Sequence, residues 1–170
     1  MSERLLDLLR HGEVQGGARF RGEQDDPLSP LGWEQMRRAT SDRPGWTRII
    51  SSPSRRCADF GAWEGLAADE IPGELLDRFW ADPVNYTPPG AETFAAFRAR
   101  VLDGWRDLLC ATDPHALLVT HGGVIRILAS EVLRMSEDGF LLFEAPYACH
   151  VRLRIPDPPW RPSLASLRTL

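Results

Sequence analysis

Lysine is missing from this chain altogether: every one of its 20 basic residues is an arginine. The bias is compositional, so arginines inside motifs need an argument of their own. Against 24 acidic residues the formal net charge is -4. That balance excludes a general nucleic-acid binder, which needs a basic face or stripe. Cysteine is scarce. Cys57, Cys110 and Cys149 are far apart, odd in number and form no C-x-x-C, which excludes a disulfide framework and a cysteine zinc site. Cys110 falls in a helical pattern and reads as a small core residue. No apolar run is long enough to span a membrane. Met1-Ser2-Glu3-Arg4 leads directly into a strand, without a leader peptide, so the chain reads as cytoplasmic. Repeats and low-complexity blocks are also absent. What is present, 170 residues with 43% hydrophobic and 26% charged, suits one soluble domain, 1–170, with a sizeable core.

Three short apolar runs carry most of the information. Leu5-Leu6-Asp7-Leu8-Leu9 leads into Arg10-His11-Gly12-Glu13. Arg48-Ile49-Ile50-Ser51-Ser52-Pro53 leads into Arg55-Arg56. Ala116-Leu117-Leu118-Val119-Thr120 leads into His121-Gly122-Gly123. Each run reads as a buried strand. In an open parallel sheet, ligands sit beyond the carboxyl ends of the strands. If the three strands are neighbours, two histidines and at least two arginines converge, and such a cluster requires an anion, phosphate above all.

The rest of the pattern supports strand–helix alternation. Ser29 and Pro30 suit the cap and first position of a helix running to about Thr40. Phe94, Phe97, Val101, Trp105 and Leu108 recur at helical spacing after Pro88-Pro89-Gly90, and read as core. A third helix follows His121, with Val124, Ile125, Leu128 and Val132 inward. Cys149–Ile155 alternates as a half-buried strand does, and Ser163–Leu170 reads as a closing hairpin strand. The expected fold is an α/β three-layer sandwich with a mainly parallel central sheet flanked by helices.

The chemistry of the cluster follows from its groups. Arg10, with Arg56 or Arg55, offers planar, permanently charged forks for phosphoryl oxygens. Gly122 and Gly123 open a helix, and their N–H groups can approach an oxyanion closely. His11 is the natural nucleophile, because a neutral imidazole can form a phosphohistidine and split one slow hydrolysis into two easier steps. The arginines and His121 would stabilise charge on the equatorial oxygens. The guanidinium groups neutralise the phosphate, so no metal and no cofactor is expected. His115 and His150 lack this context and read as structural.

These motifs resemble the histidine phosphatase superfamily, of phosphoglycerate-mutase-like fold. The resemblance rests on Leu9–Glu13, Ser51-Ser52-Pro53-Ser54-Arg55-Arg56, Phe60-Gly61-Ala62-Trp63-Glu64-Gly65 and Val119–Arg126. It makes Arg56, rather than Arg55, the phosphate ligand, and implies catalytic roles for His11, Arg10 and His121. Gly12, Arg21 and Gly122 are the implied substrate-binding residues. Within the superfamily the chain looks most like the α-ribazole-5′-phosphate phosphatases of cobalamin synthesis, through Arg21-Gly22, Asp26–Ser29, Arg56-Cys57-Ala58 and Phe79–Glu92. True mutases are longer, which favours hydrolysis of a small phosphorylated substrate here.

One departure stands out. Relatives carry a further helix and strand after the second arginine, ending in the Glu thought to protonate the leaving alcohol. Here Ala58 is followed at once by Asp59-Phe60-Gly61. A parallel crossover needs about a dozen residues, so the fold is expected to be shortened by one helix–strand unit. Asp59, Glu13 and Glu64 are the candidate replacement acids. Two readings stay open: a metal-independent phosphomonoesterase, and a weak or inactive phosphate-binding relative without its general acid. Loss of an edge unit would also leave a strand edge on which a homodimer can form.

Overall fold

Strand β1 (Glu3–Arg10) pairs in parallel with β3 (His115–Thr120), and β3 pairs in parallel with β2 (Arg48–Ser51). The three apolar runs are therefore neighbours, with their carboxyl ends along one side of the sheet. Strand β4 (His150–Pro156) runs antiparallel to β1, and β5 (Ser163–Arg168) closes a hairpin on it. The order is β2-β3-β1-β4-β5, a sheet mostly but not entirely parallel. The structure, a computed structural model, describes residues 3–22, 24–41, 45–52 and 58–169.

Helix α1 (Pro30–Ala39) begins as its sequence dictates: Ser29 Oγ accepts from Gly32 N, and Pro30 takes the first helical position. In α3 (Phe94–Cys110), Phe97, Val101 and Trp105 are buried. Leu6 and Leu8 of β1 face this helix and α4 (Gly122–Leu133), with Leu118, Ile125, Leu128, Val151 and Leu153 in the same core. Each such side chain contributes roughly 1.5–3 kcal/mol by leaving water. Among the described residues no helix is long and apolar enough to cross a membrane.

Three expectations need correction. Cys110 is exposed, not a core residue: it is the last residue of α3, off the Phe97–Trp105 stripe. Helix α2 (Gly73–Ala81) was not expected, because Pro72-Gly73 reads as a breaker and the helix is short. Strand β2 is not buried: Ile49 is 65% exposed. It is the outer strand among the described residues, so only Ile50 turns inward toward the core.

The face of the sheet opposite the main core holds a buried charge. Asp7 is fully buried, and Arg152 lies directly across from it on β4. Arg152 grips the carboxylate with two hydrogen bonds, Nε to Oδ1 at 2.7 Å and Nη2 to Oδ2 at 2.9 Å. Trp46 Nε1 donates to Oδ2 at 2.7 Å, and His115 Nε2 lies 2.9 Å from the same oxygen. His150 Nε2 stands 3.1 Å away, out of line for a hydrogen bond. Burial alone would raise the Asp7 pKa. The contacts of Arg152, His150 and Trp46 outweigh it and hold the carboxyl well below the usual range. His115 and His150 thus have a structural occupation.

Candidate active site

Strand β1 delivers Arg10 and His11 to the carboxyl side of the sheet, and β3 delivers His121 beside them. The two imidazoles meet edge to face, with ring centroids 5.2 Å apart. His11 is fixed through its backbone, donating N–H to Thr120 O at 3.0 Å and accepting from Ala148 N at 3.2 Å. Its Nδ1 lies 2.8 Å from Gly12 O. A carbonyl can only accept, so Nδ1 carries the proton and Nε2 keeps its lone pair. Burial lowers the His11 pKa, and the charges of Arg10 and Arg21 add to this, against the opposing Gly12 hydrogen bond. The ring is therefore held neutral, the nucleophilic form.

Arg10 donates from Nη1 to Ala145 O at 2.5 Å, and its guanidinium lies over the Tyr147 ring, 4.2 Å from the centroid. Gly122 presses against it: a Cβ there would come 3.3 Å from Cζ and Nε of Arg10. Gly122 opens α4, whose N-terminal amides bring the positive end of the helix dipole to the same place.

The site opens into a cleft of about 660 Å³ lined by Arg10, His11, Arg21, Asp59, His121 and Gly122 among others. Ser51 and Ser52 also line it, and Ser52 N donates to Val119 O at 2.9 Å. Arg55 and Arg56 follow, and lie outside the described residues.

The other predicted residues fall in distinct places. Gly12 does not line the cleft. It packs on α1, where a Cβ would come 2.2 Å from Gly32 O, and its carbonyl acts on His11. Arg21 lines the cleft, but all three of its nitrogens are engaged nearby: Nε with Asp26 at 2.5 Å, and Nη1 and Nη2 with the carbonyls of Gly17 and Gln15, each at 2.7 Å. It braces the loop and lends the cleft its charge. Glu13 Oε1 accepts from Ser29 Oγ at 2.7 Å. Glu64 accepts from Phe60 N at 2.9 Å and Gly22 N at 3.0 Å, one bond per oxygen. Neither glutamate lines the cleft. Asp59 does, with Oδ1 accepting from Gly61 N at 2.7 Å.

Several cleft residues were not singled out from the sequence. Arg126 lines it one helical turn beyond Gly122, donating to Phe143 O at 3.0 Å; its signal was the i, i+4 spacing on α4. Glu92 also lines it, but Arg100 holds both its oxygens, at 2.7 and 3.1 Å. Six of the seven phenylalanines and both tyrosines line the cleft. Phe79 and Trp80 come from the unexpected α2 and pack edge to face at 5.0 Å, with Phe20 close to both. Among the described residues no group of three or more His, Cys, Asp or Glu side chains could hold a metal ion.

Comparison with known proteins agrees with this geometry. A bifunctional protein of Mycobacterium tuberculosis is 33% identical over 159 positions, covering 74% of this chain and 43% of the relative. The chain thus spans less than half the length of that relative. The 2,3-bisphosphoglycerate-dependent phosphoglycerate mutase of Rhizobium etli is 28% identical over 190 positions, covering 88% of this chain and 90% of the mutase. A glucosyl-3-phosphoglycerate phosphatase of Mycolicibacterium vanbaalenii is 27% identical over 179 positions, covering 82% and 79%. Both alignments are longer than the chain's own 170 residues. The crystal structure of the α-ribazole phosphatase of Shigella flexneri superimposes with a TM-score of 0.82 at 21% identity, over 97% of this chain and 96% of that one. That likeness is one of fold. The sequence profile of the histidine phosphatase superfamily (branch 1) matches residues 6–59 and 58–166. With the profile covering nearly the whole chain, and the two histidines meeting where parallel strands end, the protein belongs to the histidine phosphatase superfamily.

Proposed function

We propose that the chain is a metal-independent phosphomonoesterase of small phosphate esters that works through a phosphohistidine on His11. The carrying observation is the His11 ring: Nδ1 is tied to Gly12 O, burial and the charge of Arg10 lower its pKa, and the ring meets that of His121 edge to face. In the first step Nε2 bonds to phosphorus while the ester P–O bond breaks, and the leaving alcohol takes a proton from Asp59 or from solvent. In the second, water attacks phosphorus and passes a proton back to the same acceptor, the P–Nε2 bond breaks, and inorganic phosphate leaves His11 free again. Arg10 and the α4 amides face the charge on the equatorial oxygens, and the Ser-Ser-Pro motif assigns Arg56 to the same task. The aromatic wall favours an ester whose other end is aromatic or apolar. The α-ribazole 5′-phosphate of cobalamin synthesis is such an ester, and its cytoplasmic hydrolysis is the specific activity we propose.

A second reading, a phosphate-binding relative that turns over poorly, has one observation in its favour. Of the three candidate acids only Asp59 lines the cleft. The profile match breaks at residues 58–59, and among the described residues β2 is the outer strand, which supports loss of the unit that bears the acid in relatives. A quenched-flow experiment with ³²P-labelled aryl phosphate tests the main reading. An acid-labile phosphoenzyme should form and be absent in His11→Ala. Label that persists in that variant would assign the nucleophile elsewhere. Binding of phosphate without any turnover would leave the second reading.

A further inference from the structure

We propose that Tyr147 is a positioning residue for phosphate binding, its ring face holding the Arg10 guanidinium in place. The inference rests on the reading of Arg10 as a phosphate ligand.

Three observations carry it. The guanidinium carbon of Arg10 lies 4.2 Å from the Tyr147 ring centroid, well inside cation–π range. The same ring stands 5.7 Å from that of His11, so one side chain touches both groups on which phosphate would sit. The third is the turn that presents it. Cys149 N donates to Pro146 O at 3.1 Å, closing a tight turn with Tyr147 and Ala148 at its corners. Ala148 has φ +55°, a left-handed conformation that is costly for a non-glycine residue. Its N–H donates to His11 O, and Cys149 O accepts from Arg10 N at 3.0 Å. The turn is thus bonded to the backbone of both residues its side chain touches.

The physical reason for such a platform is entropy. A free arginine fork explores many rotamers, and each must be given up when phosphate binds. Gly122 at one contact, Ala145 O at another and the Tyr147 ring at a third leave Arg10 already in its bound orientation. The ring face attracts the guanidinium through its quadrupole and carries no net negative charge of its own to compete with the anion.

The test measures binding of inorganic phosphate and orthovanadate by calorimetry, with thermal melting as a check on folding. Tyr147→Leu should weaken both by about 5- to 30-fold, with a larger effect on KM than on kcat. Tyr147→Phe, which keeps the ring face, should stay within about twofold. Phenylalanines of increasing fluorination at 147 should lower affinity stepwise, because fluorine drains the ring face without altering its shape; a packing role would leave that series flat. In an Arg10→Ala background the effect of Tyr147→Leu should vanish. Wild-type affinity in Tyr147→Leu, or equal losses in Tyr147→Phe and Tyr147→Leu, would overturn the proposal. If Arg10→Ala itself leaves phosphate binding intact, the reading of the site has failed instead.

Discussion

Replacing Asp7 with Ala should cost this protein a large share of its stability without touching the cleft. Asp7 is fully buried and serves Arg152, Trp46 and His115 at once. Removing one partner of a buried ion pair typically costs about 3–5 kcal/mol, because the other charge is left without compensation. The Arg152 side chain keeps 24% exposure and can recover some hydration, so the low end, about 3 kcal/mol, applies. A domain of this size has roughly 5–15 kcal/mol in total. The same loss should lower the melting temperature by about 6–12 °C. The dependence on pH has a definite sign. The folded-state pKa of Asp7 is depressed, so its contribution is complete above the unfolded value of about 3.9 and fades as pH falls below it. Wild type and Asp7→Ala should therefore differ fully at neutral pH and converge in acid. Calorimetry of Asp7→Ala, Arg152→Ala and the double variant gives the coupling. The double variant should lose far less than the sum of the singles. A melting temperature within about 2 °C of wild type for Asp7→Ala, or additive losses, would refute the reasoning.

Other outcomes follow from the cleft. The His11 ring, lowered by burial and by Arg10 and Arg21, should titrate below 6.5 in the free protein when followed by NMR of labelled histidine; a midpoint at or above that value contradicts the assigned environment. Arg56→Ala should weaken phosphate binding far more than Arg55→Ala, and equal losses would mean a different register for the Ser-Ser-Pro motif. If Asp59 donates the proton, Asp59→Asn should depress turnover of alkyl phosphates by about a hundredfold or more while sparing aryl esters, whose leaving groups need little protonation. Equal effects on both classes would remove Asp59 from that role.

The sequence was most informative where a single physical signal decided the matter. An apolar run followed by a charged or glycine-rich break gave β1, β2 and β3. Ser29-Pro30 gave the start of α1, and the Phe97–Val101–Trp105 stripe gave α3. Their convergence on Arg10, His11 and His121 followed from the rule about strand ends. What escaped depended on tertiary placement. Asp7 looked like one more position in an apolar strand, although a charge amid four leucines always needs a buried partner. That partner, Arg152, is 145 residues away. Helix α2 was hidden by Pro72-Gly73, and with it the contribution of Phe79 and Trp80 to the aromatic wall. The role of Tyr147 could not be read locally, because nothing in Pro146-Tyr147-Ala148 announces a turn bonded to His11.

The pairing of β1 has a consequence for how the protein comes into being. The strand that carries Arg10 and His11 precedes both of its register partners, His115–Thr120 and His150–Pro156, in the chain. During vectorial synthesis β1 must wait, unpaired, for more than a hundred residues before either neighbour exists. His11 thus leaves the ribosome more than a hundred residues before the strands that position it. Such distant pairings slow folding, since loop closure must precede any contact that rewards it. A chain cut before Pro146 would keep every residue of the Arg10-His11 motif and still leave β1 with one bare edge and no Tyr147 turn behind Arg10 and His11.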